Sequence, residues 1–446
     1  MDFLSFKQAV IARAEALGLT DYELYYQSGT DISIGAFGHE INEFSASEGG
    51  GICFRCIVNG KMGYASTEAI SASEASAIVD RAADNAANLE SEEEVFLCEG
   101  GKTYATLPES QITMPTTEAL VKKVLDTQEK LYASDAKVVD GCQTQGIAME
   151  SRIAICNSKG LDLEYHNISA GMLVASVVRE GTEMANAYEL KLGDLDTLDT
   201  DALTKKATES ALRKLGGDVA PTGQYPVIFS SDAMSDLLAT FSGIFSAESV
   251  QKGLSRLAEG EIVASEAVTL VDDPFHPENP SPRNFDAEGC PTAKKNIIEQ
   301  GKLCTLLYNL KTAAVAGKET TGNASKGSYD SPVGIRPFSM YLESGELTPE
   351  QLLQKAGNGV YITSLQGLHA GANPISGDFS LQSAGFMIEN SQKTTVVKSF
   401  TVAGNFYTLL KNIVCAANNS HLPMAMGATA FGSPDVLVDG LSIAGK

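Results

Sequence analysis

The chain has 446 residues, 43% of them hydrophobic and 20% charged, with a formal net charge of -23. That length allows two or three domains with ordinary cores, while the acidic field, offset by no basic cluster, repels a phosphate backbone and argues against nucleic-acid binding. No run of about 18 apolar residues occurs, so no membrane span is expected, and eight cysteines without framework spacing fit reduced thiols in a cytoplasm.

The stretch from Met1 to Leu19 is amphipathic and interrupted by Lys7 and Arg13. It reads as a helix begun at Asp2 and stopped by Gly18, not as a secretory signal. Tyr22 to Gly51 alternates as strands, with Gly38-His39 and Ser47 to Gly51 as turn material, and Ile52 to Ser66 reads as a hairpin closed by Asn59-Gly60. Ser71 and Glu74 predict a capping box for an Ala-rich helix ending near Leu89. A further helix follows Pro115-Thr116-Thr117, with Leu120, Val121, Val124 and Leu131 inward. Lys137 to Leu192 predicts a strand meander with a turn at Ser158-Lys159-Gly160, and Ala202 to Leu215 a helix. Gly216-Gly217 and Pro221-Thr222-Gly223 then mark a boundary. The fold class is α+β: residues 1–217 form a domain of helices with an antiparallel sheet, and residues 218–446 a β-rich domain with a few helices.

The second domain opens with a strand at Tyr225 to Phe229 and a helix beginning near Ser231-Asp232. Glu261 to Val271 has a strand pattern, residues 271–289 read as a proline-rich surface loop, and Asn296 to Asn309 as a hairpin around Gln300-Gly301. A polar loop at Thr320 to Gly327 and a short helix at Thr348 to Ala356 follow. From Ser364 to Asn390 the chain is punctuated by Gly367, Gly371, Gly377 and Gly385. After a turn at Ile375 to Asp378, Phe379, Leu381 and Ser383 alternate with Ser380, Gln382 and Ala384. Ala384, Phe386 and Ile388 continue on the other parity, which predicts a bulge near Gly385. Asn390-Ser391-Gln392 reads as a hairpin loop, Thr394 to Val402 as the return strand, and Leu409 to Ala417 as a short helix containing Cys415.

Candidate chemistry is sparse. A zinc hydrolase places two histidines about a turn apart on one helix with a glutamate between them. The five histidines here (His39, His166, His276, His369 and His421) are all widely spaced. His39-Glu40 begins an apparent HExxH, but the sequence continues Ile-Asn-Glu and lies in a predicted turn. Cys53-x-x-Cys56 falls in a predicted strand, where residues three apart face opposite sides, so it reads as core thiols. There is no G-x-S-x-G, so Ser328 and Ser433 read as loop serines, and no phosphate-binding glycine motif appears. What remains is His369, Asp378 and Glu389, an acid/base group only if the loop folds back on itself.

Gly377-Asp378-Phe379-Ser380, Ala384-Gly385-Phe386, Ile388-Glu389-Asn390 and Val402-Ala403-Gly404-Asn405 together resemble the signature region of the TldD/PmbA family of peptidase proteins. Phe285 to Gly289 and Thr320 to Ala324 add to the resemblance, which covers the second domain and extends more weakly to the first. It implies that Gly377, Asp378, Phe379, Ser380, Gly385, Glu389, Asn390, Gly404 and Asn405 form a peptide-binding or structural motif. In the TldD branch an HExxxH motif stands on the helix after the first strand of the second domain, and a cysteine further on completes a zinc site. The matching residues here are expected at about Ala239 to Ile244, which contain neither ligand, and Asn418 to Met426 contains no cysteine. The sequence is therefore closer to the PmbA/TldE branch, which carries the family label "modulator of DNA gyrase". The resemblance implies a cytoplasmic, metal-free, non-catalytic subunit, paired with a TldD-like zinc peptidase or with itself and handling unfolded or extended peptides. A hairpin beside an open strand edge would suit their capture. The alternatives are a stand-alone peptidase with a divergent site using His369, Asp378 and Glu389, or a peptide-binding scaffold.

Overall fold

The computed structural model describes residues 1–90, 93–107, 112–426 and 429–446. Asp2 caps the first helix, α1 (Phe3–Ala16), by accepting a hydrogen bond from Ser5 N, and Gly18 follows its end with a φ of 71°. Next come β1 (Tyr22–Phe37), β2 (Glu40–Val58), β3 (Lys61–Thr67), α2 (Ala72–Asn88), α3 (Thr117–Ala133), β4 (Gln143–Asn157), β5 (Asp162–Glu180), β6 (Glu183–Leu192) and α4 (Thr200–Leu212). The six strands make one antiparallel sheet in the order β3-β2-β1-β4-β5-β6. Apolar side chains of α1 and α2 (Phe6, Val10, Ile78, Val79) pack on Ile52 and Phe54. Those of α3 and α4 (Leu120, Val124, Leu203) pack on Ile34, Ala148 and Met172.

Two details of this half differ from the sequence expectation, and one agrees with it. Ser47 to Gly51 is strand, paired with Gln27 to Asp31. Gly50 and Gly51 serve close approach, since a Cβ on Gly50 would lie 2.4 Å from Gln27 O and one on Gly51 2.4 Å from the Tyr329 ring. Only half the capping box forms, because Ser71 Oγ accepts from Glu74 N while the Glu74 carboxylate turns to Arg81. Cys53 and Cys56 do face opposite sides, one in the layer against the C-terminal half and the other under α1 and α2.

The C-terminal half begins with β7 (Gly223–Phe229) and α5 (Ser231–Phe241). One six-stranded sheet runs in the order Gln392–Asn405, Asp378–Glu389, Gly359–Gln366, β7, Val436–Ala444, Ile413–Ala416. A second runs in the order Lys302–Leu303, Lys295–Glu299, Leu270–Asp272, Ser339–Leu342, Thr429–Ser433, His421–Met426. α5 lies in the core between them, its Met234, Leu237, Leu238 and Phe241 fully buried with Val227, Ile362, Leu381, Met340 and Phe431. The fold is thus α+β with a β-rich C-terminal half. Among the described residues no helix is long and apolar enough to cross a membrane.

Here too the local reading needs correction. The strand expected over Glu261 to Val271 is confined to Leu270–Asp272, although Val263 and Val268 are buried from irregular backbone. The helix near Leu409 spans Phe406–Asn412 and gives way to the strand Ile413–Ala416, so Cys415 is on a strand, paired with Leu437. The region read as a proline-rich surface loop is largely interior: Asp272 is 0% exposed, and Phe285, Asp286 and Glu288 are also buried. It packs Phe285, Ala287 and Cys290 against Tyr25, Ile153, Ile155 and Tyr165 of the first sheet.

Candidate functional site

The glycine-gated hairpin forms as the alternation predicts, with a two-residue turn at Asn390 and Ser391 (φ 51° and 67°) and a register shift between Ser383 and Gly385. Asn405 organises its base. Its Nδ2 donates to Ser376 O (2.9 Å) and Asp378 Oδ1 (2.8 Å), while its Oδ1 accepts from Arg256 Nη2 (3.2 Å) and from Thr408 N, capping the helix Phe406–Asn412. The hydrogen bond from Asn405 holds the Asp378 carboxyl below its ordinary range. Gly377 has a φ of 84°, and a Cβ there would lie 2.5 Å from the Tyr407 ring. Phe379 enters the core, Ser380 is exposed, and Asn390 N donates to Asn358 Oδ1.

This motif does not gather His369, Asp378 and Glu389. Asp378 and Glu389 are the two ends of a twelve-residue strand, about 36 Å apart at 3.3 Å per residue. His369 is exposed on a separate short helix, Leu368–Gly371. Nor does the hairpin present an open edge along its return strand. Val396 O accepts from Asp218 N, Lys398 N donates to Asp218 O, and Thr401–Ala403 pairs with Ser442–Ala444. The sheet closes on itself there, which removes the edge.

A different polar group forms where β7 hands over to α5. Ser230 caps the helix, accepting at Oγ from Ala233 N. Ser231 N donates to Asp435 Oδ1 (2.9 Å), and the Ser231 hydroxyl donates to Ser433 O (2.5 Å). His421 Nδ1 lies 3.0 Å from that hydroxyl oxygen, and its Nε2 lies 3.5 Å from Asp232 Oδ1. Buried Asp435 also accepts from Tyr361 OH (2.9 Å), and the Lys393 ammonium sits 3.3 Å over the Tyr361 ring. One turn beyond Asp232, burial and the Asp232 carboxylate push Asp236 up to about 7. Tyr188 on β6 is exposed near this pair, its hydroxyl raised by desolvation and by the charges of Asp236 and Asp232.

Ser231, His421 and Asp232 are in contact order for a nucleophile triad, but the protons are wrong for one. Ser231 is 3% exposed, and its single proton is engaged by Ser433 O. Its oxygen is left to accept from His421 Nδ1–H, so histidine does not withdraw a proton from it. The accessible chemistry belongs to His421, Asp232 and Asp236. The hydrogen bond to Asp232 raises His421 above its ordinary range.

A family model described as the PmbA/TldA metallopeptidase C-terminal domain matches residues 222–445, and the models for domain 1 and the central domain match residues 22–86 and 111–215. The chain belongs to the PmbA/TldD metallopeptidase family. It is 28% identical over 293 residues to a metalloprotease of Methanothermobacter thermautotrophicus, covering 63% of this chain and 64% of that protein. Identity to the metalloprotease PmbA of Escherichia coli O157:H7 is 27% over 272 residues, 59% of this chain and 57% of that one. The match thus spans less than two thirds of the length of these curated relatives. Among solved structures, a Thermotoga maritima protein described as a modulator of a DNA gyrase superposes with a TM-score of 0.90 at 30% identity, covering 99% of this chain and 100% of that one. TldE from Thermococcus kodakarensis gives 0.88 at 26%, with the same coverage.

A PmbA/TldD chain invites the question of what stands where a helix-borne metal motif would be. The window Ala239 to Ile244 straddles the end of α5 and a 3-10 turn over Ser242–Phe245, so it cannot present a helical motif. The exposed start of α5 offers Asp232 and Asp236 instead, and the helix contains neither histidine nor glutamate. Near neutral pH Asp236 is partly protonated and a poor ligand. Among the described residues no group of three or more His, Cys, Asp or Glu is arranged to hold a metal ion. These residues do not fit zinc. Two local signals could have pointed to this site, an Asp pair four apart at a helix start and Asp435 just after Ser433-Pro434, but His421 joins them only through the fold.

Proposed function

We propose that this chain is the PmbA/TldE-like, non-catalytic and zinc-free subunit of a TldD/TldE-type metallopeptidase system that acts on unfolded or extended peptides. The observation that carries this reading is the start of α5, where an aspartate pair and a serine occupy the first turns of the helix that follows the first strand of the metallopeptidase C-terminal domain. Full-length likeness to a TldE structure supports it. Handling of extended chains is supported by β6, an edge strand of the first sheet that carries Tyr188 beside the Asp232–Asp236 pair, where a peptide can add as a further strand. The partner is a TldD-like chain that brings the zinc, or a second copy of this chain.

The His421–Asp232 pair and the titrating Asp236 favour a second reading, a stand-alone peptidase with a divergent acid/base site. One experiment separates the two. The tagged chain is purified from its own host, its co-purifying proteins are identified, and metal content and peptide cleavage are measured with and without chelator. The first reading expects a co-purifying TldD-like chain, zinc only in the complex, and no cleavage by the isolated chain. Stoichiometric zinc and chelator-sensitive cleavage in the isolated chain would overturn it, and chelator-insensitive cleavage lost in D232N would establish the second.

A further inference from the structure

Two cysteines that the α5 cluster does not use meet across the junction between the halves. Cys98 lies after α2, between the stretches matched by the domain 1 and central-domain models. Cys290 follows the Phe285 to Gly289 segment of the C-terminal half. Their sulfurs are 2.8 Å apart, and the residues are 1% and 0% exposed. Both backbones are pinned. Asn157 Nδ2 donates to Cys98 O, Cys290 N donates to Asp286 Oδ1, and Tyr104 OH donates to Gly289 O.

The surroundings distinguish the two sulfurs. The hydrogen bond from Cys290 and the nearby Lys102 ammonium hold the Cys98 thiol below the usual thiol range, despite burial. Cys290, the donor, is pushed up by that bond and by burial, with Asp286 adding to the effect. Cys98 is thus the sulfur favoured to give up its proton and Cys290 the donor beside it, the division that stepwise dithiol oxidation uses. Elsewhere burial raises Cys53, Cys56, Cys142 and Cys156. A cavity of about 600 Å³ adjoins the pair: Lys102, beside Cys98, and Pro291, next to Cys290, line it together with Phe96, Leu310, Lys318 and Thr320, while the two cysteines themselves stay buried behind that wall.

We propose that Cys98 and Cys290 form a redox-active dithiol that takes a hydroperoxide and closes to a disulfide, tying the segment after α2 to the C-terminal half. Cys98 gives up its proton and its sulfur attacks a peroxide oxygen. The O–O bond breaks, the departing alkoxide or hydroxide takes up that proton, and Cys98 becomes a sulfenic acid. Cys290 sulfur then attacks the Cys98 sulfur, the S–S bond forms, and the sulfenic hydroxyl leaves as water with the Cys290 proton. In sum, two thiols are oxidised to a disulfide and one hydroperoxide is reduced to an alcohol, or water, plus water.

The test uses the full reduced chain exposed to hydrogen peroxide, denatured, alkylated and mapped by mass without reductant. The expected product is a peptide joining Cys98 to Cys290, reversed by dithiothreitol, with Cys53, Cys56, Cys142 and Cys156 still alkylated. In C290S the same treatment is expected to leave a sulfenic acid at Cys98 that dimedone traps. Cys98 and Cys290 both alkylated while exposed Cys304 is oxidised would overturn the proposal, as would a disulfide joining any other pair. The wild-type result needs no variant to fold.

Discussion

His421 faces Asp232 across 3.5 Å with Nε2, while its other ring nitrogen lies 3.0 Å from the Ser231 hydroxyl, whose proton is already engaged. Both contacts call for N–H donors, so the arrangement stabilises the imidazolium. A folded-state pKa raised in this way contributes stability that is fully present below the unfolded value and is lost as pH rises through the folded one. In D232N the His421 titration, followed by ring-proton NMR, is expected to move down toward about 6.5, the ordinary value. An unchanged titration would mean that the Asp232 contact is not formed in solution.

Asp236 follows the same sign by a different cause. Its carboxyl is raised to about 7 mainly by desolvation, so the carboxylate form is penalised once the pH exceeds the unfolded value of about 4. That penalty grows up to about pH 7 and is then constant. D236N removes it and is expected to stabilise the chain by on the order of 2 kcal/mol at pH 8, discounting for partial exposure, and by nothing near pH 4. Urea melts at the two pH values measure the difference, and equal effects at both would exclude a titrating Asp236.

Asp272 is the acid on which the second sheet depends. It is 0% exposed, and its carboxylate accepts from Phe338 N, Ser339 N and Asn323 Nδ2, with Lys295 Nζ 3.2 Å away. D272A leaves those donors buried without an acceptor, and the cost is expected at about 3–5 kcal/mol. Thermal melting checks it. A shift typical of a surface substitution would show that the group is solvated.

Much of this architecture was legible in the sequence because it rests on local rules. The Asn59-Gly60 and Gln300-Gly301 turns, the caps at Asp2, Thr116 and Thr348, and the parity switch at Gly385 each declare themselves within a few residues. What was not legible depends on distant partners. The Gly51 stretch resembles a turn until Tyr329 arrives to pack on it, and the segment around Asp286 resembles a surface loop until the first sheet covers it. The α5 group was hidden for the same reason: Asp232 and His421 are brought together only when the strand His421–Met426 joins the sheet beside α5. Conversely, Asp378 and Glu389 are close in the motif but separated by a full strand.

That separation yields the last prediction, which concerns what the hairpin signature is for. Asn405 satisfies both ends of its amide: one side holds Ser376 O and Asp378, and the other meets Arg256 and the first turn of the following helix. N405A removes an N-cap acceptor and two donated bonds together, and a loss of about 2–3 kcal/mol is expected. Glu389 is exposed at the far end of the strand, paired in register with Gln392 beside the turn, so E389Q is expected to shift stability by less than about 0.5 kcal/mol. If the signature were a catalytic group, both substitutions would abolish any peptide cleavage the chain supports, alone or in the complex proposed above, while leaving folding intact. If it is a structural joint, N405A lowers the melting temperature and E389Q changes neither melting nor cleavage. Chemical denaturation of both variants, alongside peptide cleavage by the chain and by whatever complex co-purifies with it, decides between these outcomes.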